Sequence, residues 1–173
     1  IRFVQRHTQI PIPHIICTDE GFVKPYILMK RTKGKNLEGA WRGLNQDQRV
    51  NVVVHLRSCV GQLHRLQPPD PKGVCGLGGA ACKDAHVQSD GTFSPFTYEA
   101  SFNDHLVHVA SLFLEQRTFL DIRVRMVDCH PIVFTHNDLT PRNMIVQDDT
   151  VVALLDWEDA RWYPEHWEFV KAL

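Results

Sequence analysis

The sequence predicts a mixed α+β fold, and three observations predict it. Two long segments, 46–66 and 101–116, carry apolar residues at helical spacing. Pairs of short β-branched and aromatic runs flank them, each pair separated by a few turn-forming residues. The chain has 173 residues, 43% of them hydrophobic, which is enough to bury one sizeable core.

Taken in order, residues 1–7 read as the tail of a helix, with Ile1, Phe3 and Val4 apolar. Ile10-Pro11-Ile12-Pro13 stops it, because proline lacks an N–H and pushes the residue before it to extended backbone. Residues 14–18 and 26–30 read as two strands joined by Asp19-Glu20-Gly21. Lys33-Gly34-Lys35-Asn36 is a turn into a short helix over 37–42. The helix over 46–66 presents Val50, Val53, Val54, Leu56, Val60, Leu63 and Leu66 as its apolar face. Residues 67–100 form a long irregular segment rich in Gly, Pro and small residues, a kind of loop that is commonly functional or disordered. Its Gly76-Leu77-Gly78-Gly79 neither follows a strand nor opens a helix at the spacing of a phosphate loop. The helix over 101–116 aligns Phe102, Leu106, Val109 and Phe113, with Leu112 beside them, and continues in broken form to residue 127. Residues 164–173 read as a last helix with Pro164 in its first turn. Trp157, Trp162 and Trp167 read as packing residues rather than as a ligand cage.

Composition excludes several classes. The formal net charge is −1 with both signs dispersed, so there is no basic footprint for nucleic acid. No apolar run approaches the roughly 20 residues needed to span a bilayer. Cys17, Cys59, Cys75, Cys82 and Cys129 are odd in number and form no C-x-x-C pair, which argues against a disulfide framework or a zinc site and for a reducing, cytoplasmic setting. Cys75, Cys82 and His86 read as loop and packing residues, not metal ligands. Glu99, Asp104 and Asp121 read as solvated helix surface in preference to a charge for a cationic acceptor.

Chemistry concentrates in Val133-Phe134-Thr135-His136-Asn137-Asp138-Leu139-Thr140-Pro141-Arg142-Asn143 and, after a hairpin, Leu155-Asp156-Trp157-Glu158. Residues 132–134 are a short strand that delivers the chain to a polar, proline-containing loop over 136–142. Residues 143–147 and 151–156 then form an antiparallel hairpin about Asp148-Asp149-Thr150. In that hairpin Asn143 and Asp156 face each other at the open end, roughly 5 Å apart, beside the loop that carries Asp138. One amide oxygen and two carboxylates then converge, a hard-oxygen setting for Mg²⁺ with a phosphate-bearing substrate. Asp and Asn are ordinary turn residues, so it is the returning strand ending in Asp-Trp-Glu that gives the pattern weight. The same three residues would also suit a metal-dependent hydrolase.

The pattern His136-x-Asp138-x-x-x-x-Asn143, hairpin, Asp156 resembles the catalytic loop and metal-binding aspartate of the protein-kinase-like phosphotransferases. More narrowly, residues 135–143 with Asp156-Trp157-Glu158-Asp159-Ala160 resemble the aminoglycoside phosphotransferase and choline kinase family, including its fungal small-molecule phosphotransferase-like members. The resemblance implies a protein-kinase-like α+β fold, with a small-lobe remnant and hinge over 1–32 and a mostly helical large lobe over 33–173. It implies an ATP- or GTP-dependent, Mg²⁺-dependent kinase acting on a hydroxyl of a small molecule. Asp138 would be the catalytic base, Asn143 and Asp156 the metal ligands, and Met29, Lys30, Arg31 and Thr32 the segment lying along the nucleotide base. His136 would be structural, packing beneath the metal-binding segment. Asn137 stands where the family usually has glycine, and asparagine tolerates left-handed backbone better than most residues. Glu158 and Asp159 would cap the following helix or assist at the metal. A complete family member also carries a glycine-rich hairpin, a strand lysine that grips the α/β-phosphates and a helix glutamate that pairs with it. None occurs here, and Lys24 and Lys30 fall on the wrong strands. The expectation is therefore a chain truncated at both ends, either a piece of an enzyme or a non-catalytic relic.

Overall fold

The computed structural model describes residues 1–19, 21, 24–84, 87, 92–93, 95–113 and 116–172, the side chains of 116 and 117 excepted. Glu20 of the first expected turn and His86 lie outside the described residues. The residues gather into two compact units, each made of two separate chain segments: 1–62 with 139–157, and 63–138 with 158–173.

In the first unit, helix α1 (Arg2–His7) buries Val4 and ends where Thr8 turns extended. Strands β1 (Ile15–Asp19) and β2 (Tyr26–Met29) pair antiparallel, with a bulge between Ile15 and Cys17. Lys30 N–H closes the ladder onto the His14 carbonyl at 2.8 Å. Every residue of β2 is exposed. Residues 35–36, expected in a turn, form a short strand β3 (Lys35–Asn36) instead. It pairs with β7 (Met144–Gln147), which pairs with β8 (Thr150–Leu154), giving the order β3-β7-β8. Gly34 makes this docking possible: its φ is +138°, and a Cβ there would sit 2.6 Å from the Val146 carbonyl oxygen. Asn36 then caps α2 (Leu37–Ala40), its Oδ1 accepting from Glu38 N–H at 3.0 Å. A 3₁₀ turn (Trp41–Gly43) follows.

Helix α3 (Gln46–His64) forms as expected, and of its expected face Leu63 is buried and Leu56, Val60 and Leu66 are half-buried, but the start of the stripe differs. Val50, Val53 and Val54 are about half exposed, at 49%, 54% and 57%, whereas Val52, Cys59 and Leu63 are buried. The run of valines offered two stripes at helical spacing. The one that continues through Cys59 and Leu63 is the one that is buried.

The second unit holds α4 (Glu99–Ser111), α5 (Gln116–Arg125), the small pair β4 (Cys82–Lys83) with β5 (Thr92–Phe93), and the pair β6 (Ile132–Thr135) with β9 (Arg161–Pro164). Its core is aromatic. Phe102 meets Tyr163 and Trp167 at ring-centroid distances of 5.5 and 5.0 Å, and Phe134 meets Trp162 edge-on at 4.9 Å. Trp162 and Trp167 are buried in this core, and Trp157 is buried in the first unit. Leu112 and Phe113, expected on the buried face of α4, are 70% and 82% exposed because the helix ends at Ser111. The long segment over 67–100 is partly ordered: Val74 bridges Phe96 and Cys75 bridges Trp162. Gly78 and Gly79 take left-handed φ in a 3₁₀ turn, so Gly76-Leu77-Gly78-Gly79 is a turn. Pro164 does not open a helix. It ends β9 opposite Ile132, where a missing N–H is tolerated, and the last helix is the short α6 (Trp167–Lys171).

Candidate active site

The loop after β6 is built from buried polar groups of the second unit. Asn137 adopts φ +70°, the left-handed turn that asparagine tolerates. Its side chain is spent on holding that turn: Oδ1 accepts from Trp167 Nε1 at 2.9 Å, and Nδ2 donates to Asp84 Oδ2 at 3.2 Å. Asp84 is 1% exposed and its other oxygen takes an ion pair from Lys171 Nζ at 3.0 Å. The backbone N–H groups of His136 and Asn137 donate to the two oxygens of Glu168, at 2.5 and 3.0 Å. One carboxylate from α6 therefore fixes two consecutive amides of the loop. His136 is fully buried, and its Nδ1 accepts from the Asp138 N–H at 3.3 Å. Asp138, half-buried, is delivered by this arrangement.

Glu168 carries an electrostatic signature. Burial pushes its carboxyl up to about 7, aided by the charge of Asp138, while the His136 and Asn137 amides and Lys171 pull it down. Burial wins, as expected for a carboxylate 6% exposed with charged neighbours of both signs.

The hairpin belongs to the first unit. Met144 pairs with Leu154, and Leu155 N–H donates to the Asn143 carbonyl at 2.8 Å, so Asn143 lies opposite Leu155, not Asp156. The expected pairing is off by one residue, and two local features of opposite sign set the observed register. The turn is Asp148-Asp149, with Asp148 at φ +58°, so Thr150 joins the strand opposite Gln147. A bulge then shifts the register between Ile145 and Val146. Asp156 follows with φ +61°, which turns it out of the strand direction, and Trp157 is anchored by Nε1–H to the Leu154 carbonyl at 3.0 Å. Asn143 and Asp156 thus occupy the same open end, the first buried and the second exposed. An amide oxygen and a carboxylate are hard donors, the set that suits Mg²⁺. Met29 ends β2, and Lys30, Arg31 and Thr32 follow it, in the same unit as Asn143 and Asp156.

Other expectations are corrected here. Glu158 and Asp159 cap no helix. They face Lys83, whose Nζ lies 3.2 and 3.5 Å from them. Glu99 is not solvated surface. It is 4% exposed, and its carboxylate accepts from both the backbone N–H and Nδ1 of His130 at 2.7 Å. All five cysteines are free thiols.

The sequence reading missed Glu168, Asp84, Asn36 and Gly34. Glu168 and Asp84 leave no local sign, because they act across 32 and 53 residues of chain. Asn36 was findable, as an asparagine just before the helix that begins at Leu37. Its Nδ2 also donates to the Arg142 carbonyl, tying the cap to the segment that leads into Asn143.

Comparison with known proteins adds the fold and the family. No curated protein matches the sequence. A thermostable mutant of aminoglycoside phosphotransferase APH(4)-Ia, in ternary complex with ADP and hygromycin B, superimposes with TM-score 0.63 at 14% identity, over 98% of this chain and 58% of that one. An aminoglycoside-3'-phosphotransferase of type VIII gives 0.59 at 15% identity, over 99% and 60%. The APH(2")-IIa enzyme bound to streptomycin and ATP gives 0.60 at 14%, over 98% and 55%. The chain therefore spans under two thirds of the length of these structures and shares their protein-kinase-like fold. The sequence model of the phosphotransferase enzyme family matches residues 1–173, and the chain belongs to that family.

Proposed function

We propose that the chain is the nucleotide-hinge and large-lobe part of a phosphotransferase that moves the γ-phosphate of ATP or GTP to a hydroxyl of a small molecule. One observation carries the reading. The residue at the base position, Asp138, ends a loop whose left-handed turn and two amides are held by buried Glu168, Asp84 and Trp167. So much buried polar structure behind one half-buried carboxylate is the preorganisation expected of a reacting group. Asp138 accepts or orients the proton of the attacking hydroxyl. Asn143 and Asp156 are the residues that hold Mg²⁺, and the ion, when bound, neutralises charge on the nucleotide phosphates. Met29, Lys30, Arg31 and Thr32 line the nucleotide base, within a small-lobe and hinge segment over 1–32 ahead of the large lobe over 33–173. The setting is cytoplasmic and the partner is a small molecule rather than nucleic acid or a membrane. Among the described residues no helix is long and apolar enough to cross a bilayer.

A non-catalytic reading has one specific observation in its favour. Lys24 and Lys30, the lysines nearest β2, flank that strand and do not lie on it. On either reading the chain by itself binds Mg·ATP weakly, and a clear thermal shift at micromolar Mg·ATP would contradict this. The two readings separate in a form of the protein that turns over. There Asp138→Asn abolishes transfer and leaves nucleotide binding, whereas Asp156→Ala removes Mg²⁺-dependent nucleotide binding. Unchanged turnover in Asp138→Asn would sink the role given to Asp138.

A further inference from the structure

The second unit contains a cluster that the phosphotransfer reading does not use. Glu99 opens α4, His130 lies just before β6, and His166 immediately precedes α6. One ligand atom from each lies within 4.8 Å of the other two. The His130 and His166 rings meet edge-on at 4.4 Å between centroids. Glu99 is buried and the two histidines are half-buried. The Glu99 carboxylate is oriented by the His130 backbone N–H at 2.7 Å, which leaves its other oxygen facing His130 Nδ1, also at 2.7 Å. His166 Nδ1 is buried and has no hydrogen-bond partner. A buried ring nitrogen without a partner calls for explanation, and an ion it ligates is one.

We propose that Glu99, His130 and His166 form a site for a borderline divalent transition metal of the zinc class. Two imidazoles and one carboxylate suit zinc, whereas Mg²⁺ and Ca²⁺ favour all-oxygen shells. Three protein ligands leave a fourth position for water. In a tetrahedral zinc site the donors stand about 3.4 Å apart, so the widest separation closes and the 2.7 Å Glu99–His130 pair opens, both through side-chain torsions. Burial and the neighbouring His130 hold the His166 ring below its ordinary pKa, against the opposing pull of Glu99 and Glu165, so it offers a lone pair at neutral pH. Coordination through His130 Nδ1 places that ring's proton on Nε2 and replaces the hydrogen bond to Glu99. The three ligands come from α4, the β6 approach and the start of α6. The ion would therefore clamp α6, whose Glu168 holds the His136 and Asn137 amides. This site is independent of Mg²⁺ and of phosphotransfer.

The test is a titration of the tag-free, chelator-treated chain with Co²⁺ and Zn²⁺ alone, followed by visible absorption and calorimetry. The expected result is one equivalent bound, with Co²⁺ d–d bands of a low-coordinate site. His130→Ala and His166→Ala each weaken binding by at least ~100-fold, the upper end of what a lost outer-shell partner costs. Cys129→Ser, next to His130 and exposed, leaves it unchanged. Circular dichroism confirms that each variant is folded. If one histidine variant fails to fold, the other variant and the wild-type Co²⁺ spectrum decide. No saturable micromolar binding by the wild type, or binding that survives both histidine substitutions, overturns the site.

Discussion

In the second unit, three side chains from 84, 167 and 168 hold the turn at Asn137 and two consecutive amides, ahead of Asp138. In the first unit, the hairpin that carries Asn143 and Asp156 is held by main-chain pairing, with Gly34 admitting β3 and Asn36 tying the cap to Arg142. The base candidate rests on buried polar chemistry, the metal-ligand candidates on strand register. The contrast teaches where each is fragile. A polar network fails when one partner is removed, since the others are left buried and unpaired. A register fails when the backbone cannot make its approach.

The largest expected effect is on activity. Asp138→Asn should lower phosphoryl transfer by about 10²–10⁴-fold, the usual worth of a general base, with nucleotide affinity little changed. Comparing turnover with nucleotide binding in the same preparation checks it. Next comes Glu168→Ala, which strands two buried amides. At about 1–3 kcal/mol for each unsatisfied group, the loss of stability should be about 2–6 kcal/mol by urea unfolding. Glu168→Gln sharpens the point through pH. The folded carboxyl sits at about 7, against an ordinary value of 4.5. Between those values the folded chain holds the proton that the unfolded chain has released, so this group's contribution is full below about 4.5 and is lost as pH rises through about 7. The difference in stability between wild type and Glu168→Gln should therefore fall over that window. A flat difference would show that the carboxyl is not so perturbed.

Breaking the other side of the comparison should cost less. Gly34→Ala drives a Cβ against the Val146 carbonyl at a φ of +138°, and about 1–3 kcal/mol of strain should appear as a lower urea midpoint. Asn36→Ala removes a helix cap worth about 1 kcal/mol. Smallest is Lys83→Ala. Its pairs with Glu158 and Asp159 are at the surface, and the change should stay within about 0.5 kcal/mol by the same measurement.

Local signals carried most of the fold. The strand pair β1–β2, the strand β6, the helices over 46–64 and 99–111 and the hairpin announce themselves through periodicity and turn residues, whereas β3, β4, β5 and β9 do not. The left-handed Asn137 was legible through the resemblance, since asparagine stands where the family usually has glycine and tolerates that backbone. What depends on partners far along the chain was not legible. The buried stripe of α3 needed to know what packs on it, and Pro164 reads as a helix starter until β6 is there to make it a strand end. The one-residue error at Asn143 came from matching the ends of strands of unequal length, 143–147 and 151–156, and the bulge only cancels the shift made by the tighter turn. Glu168 illustrates the general case: an acidic residue in a short C-terminal helix looks solvated until the loop it supports is folded against it.

The open end of the hairpin, with Asn143 and Asp156, is the proposed place for the metal of a nucleotide complex. Paramagnetic broadening by Mn²⁺·ATP, at the millimolar concentrations weak binding requires, tests it most directly on the 173-residue chain. The account predicts that the amides of Asn143, Leu155 and Asp156 broaden first, and that Asp156→Ala abolishes the effect. Broadening centred elsewhere, or unchanged in Asp156→Ala, would contradict it.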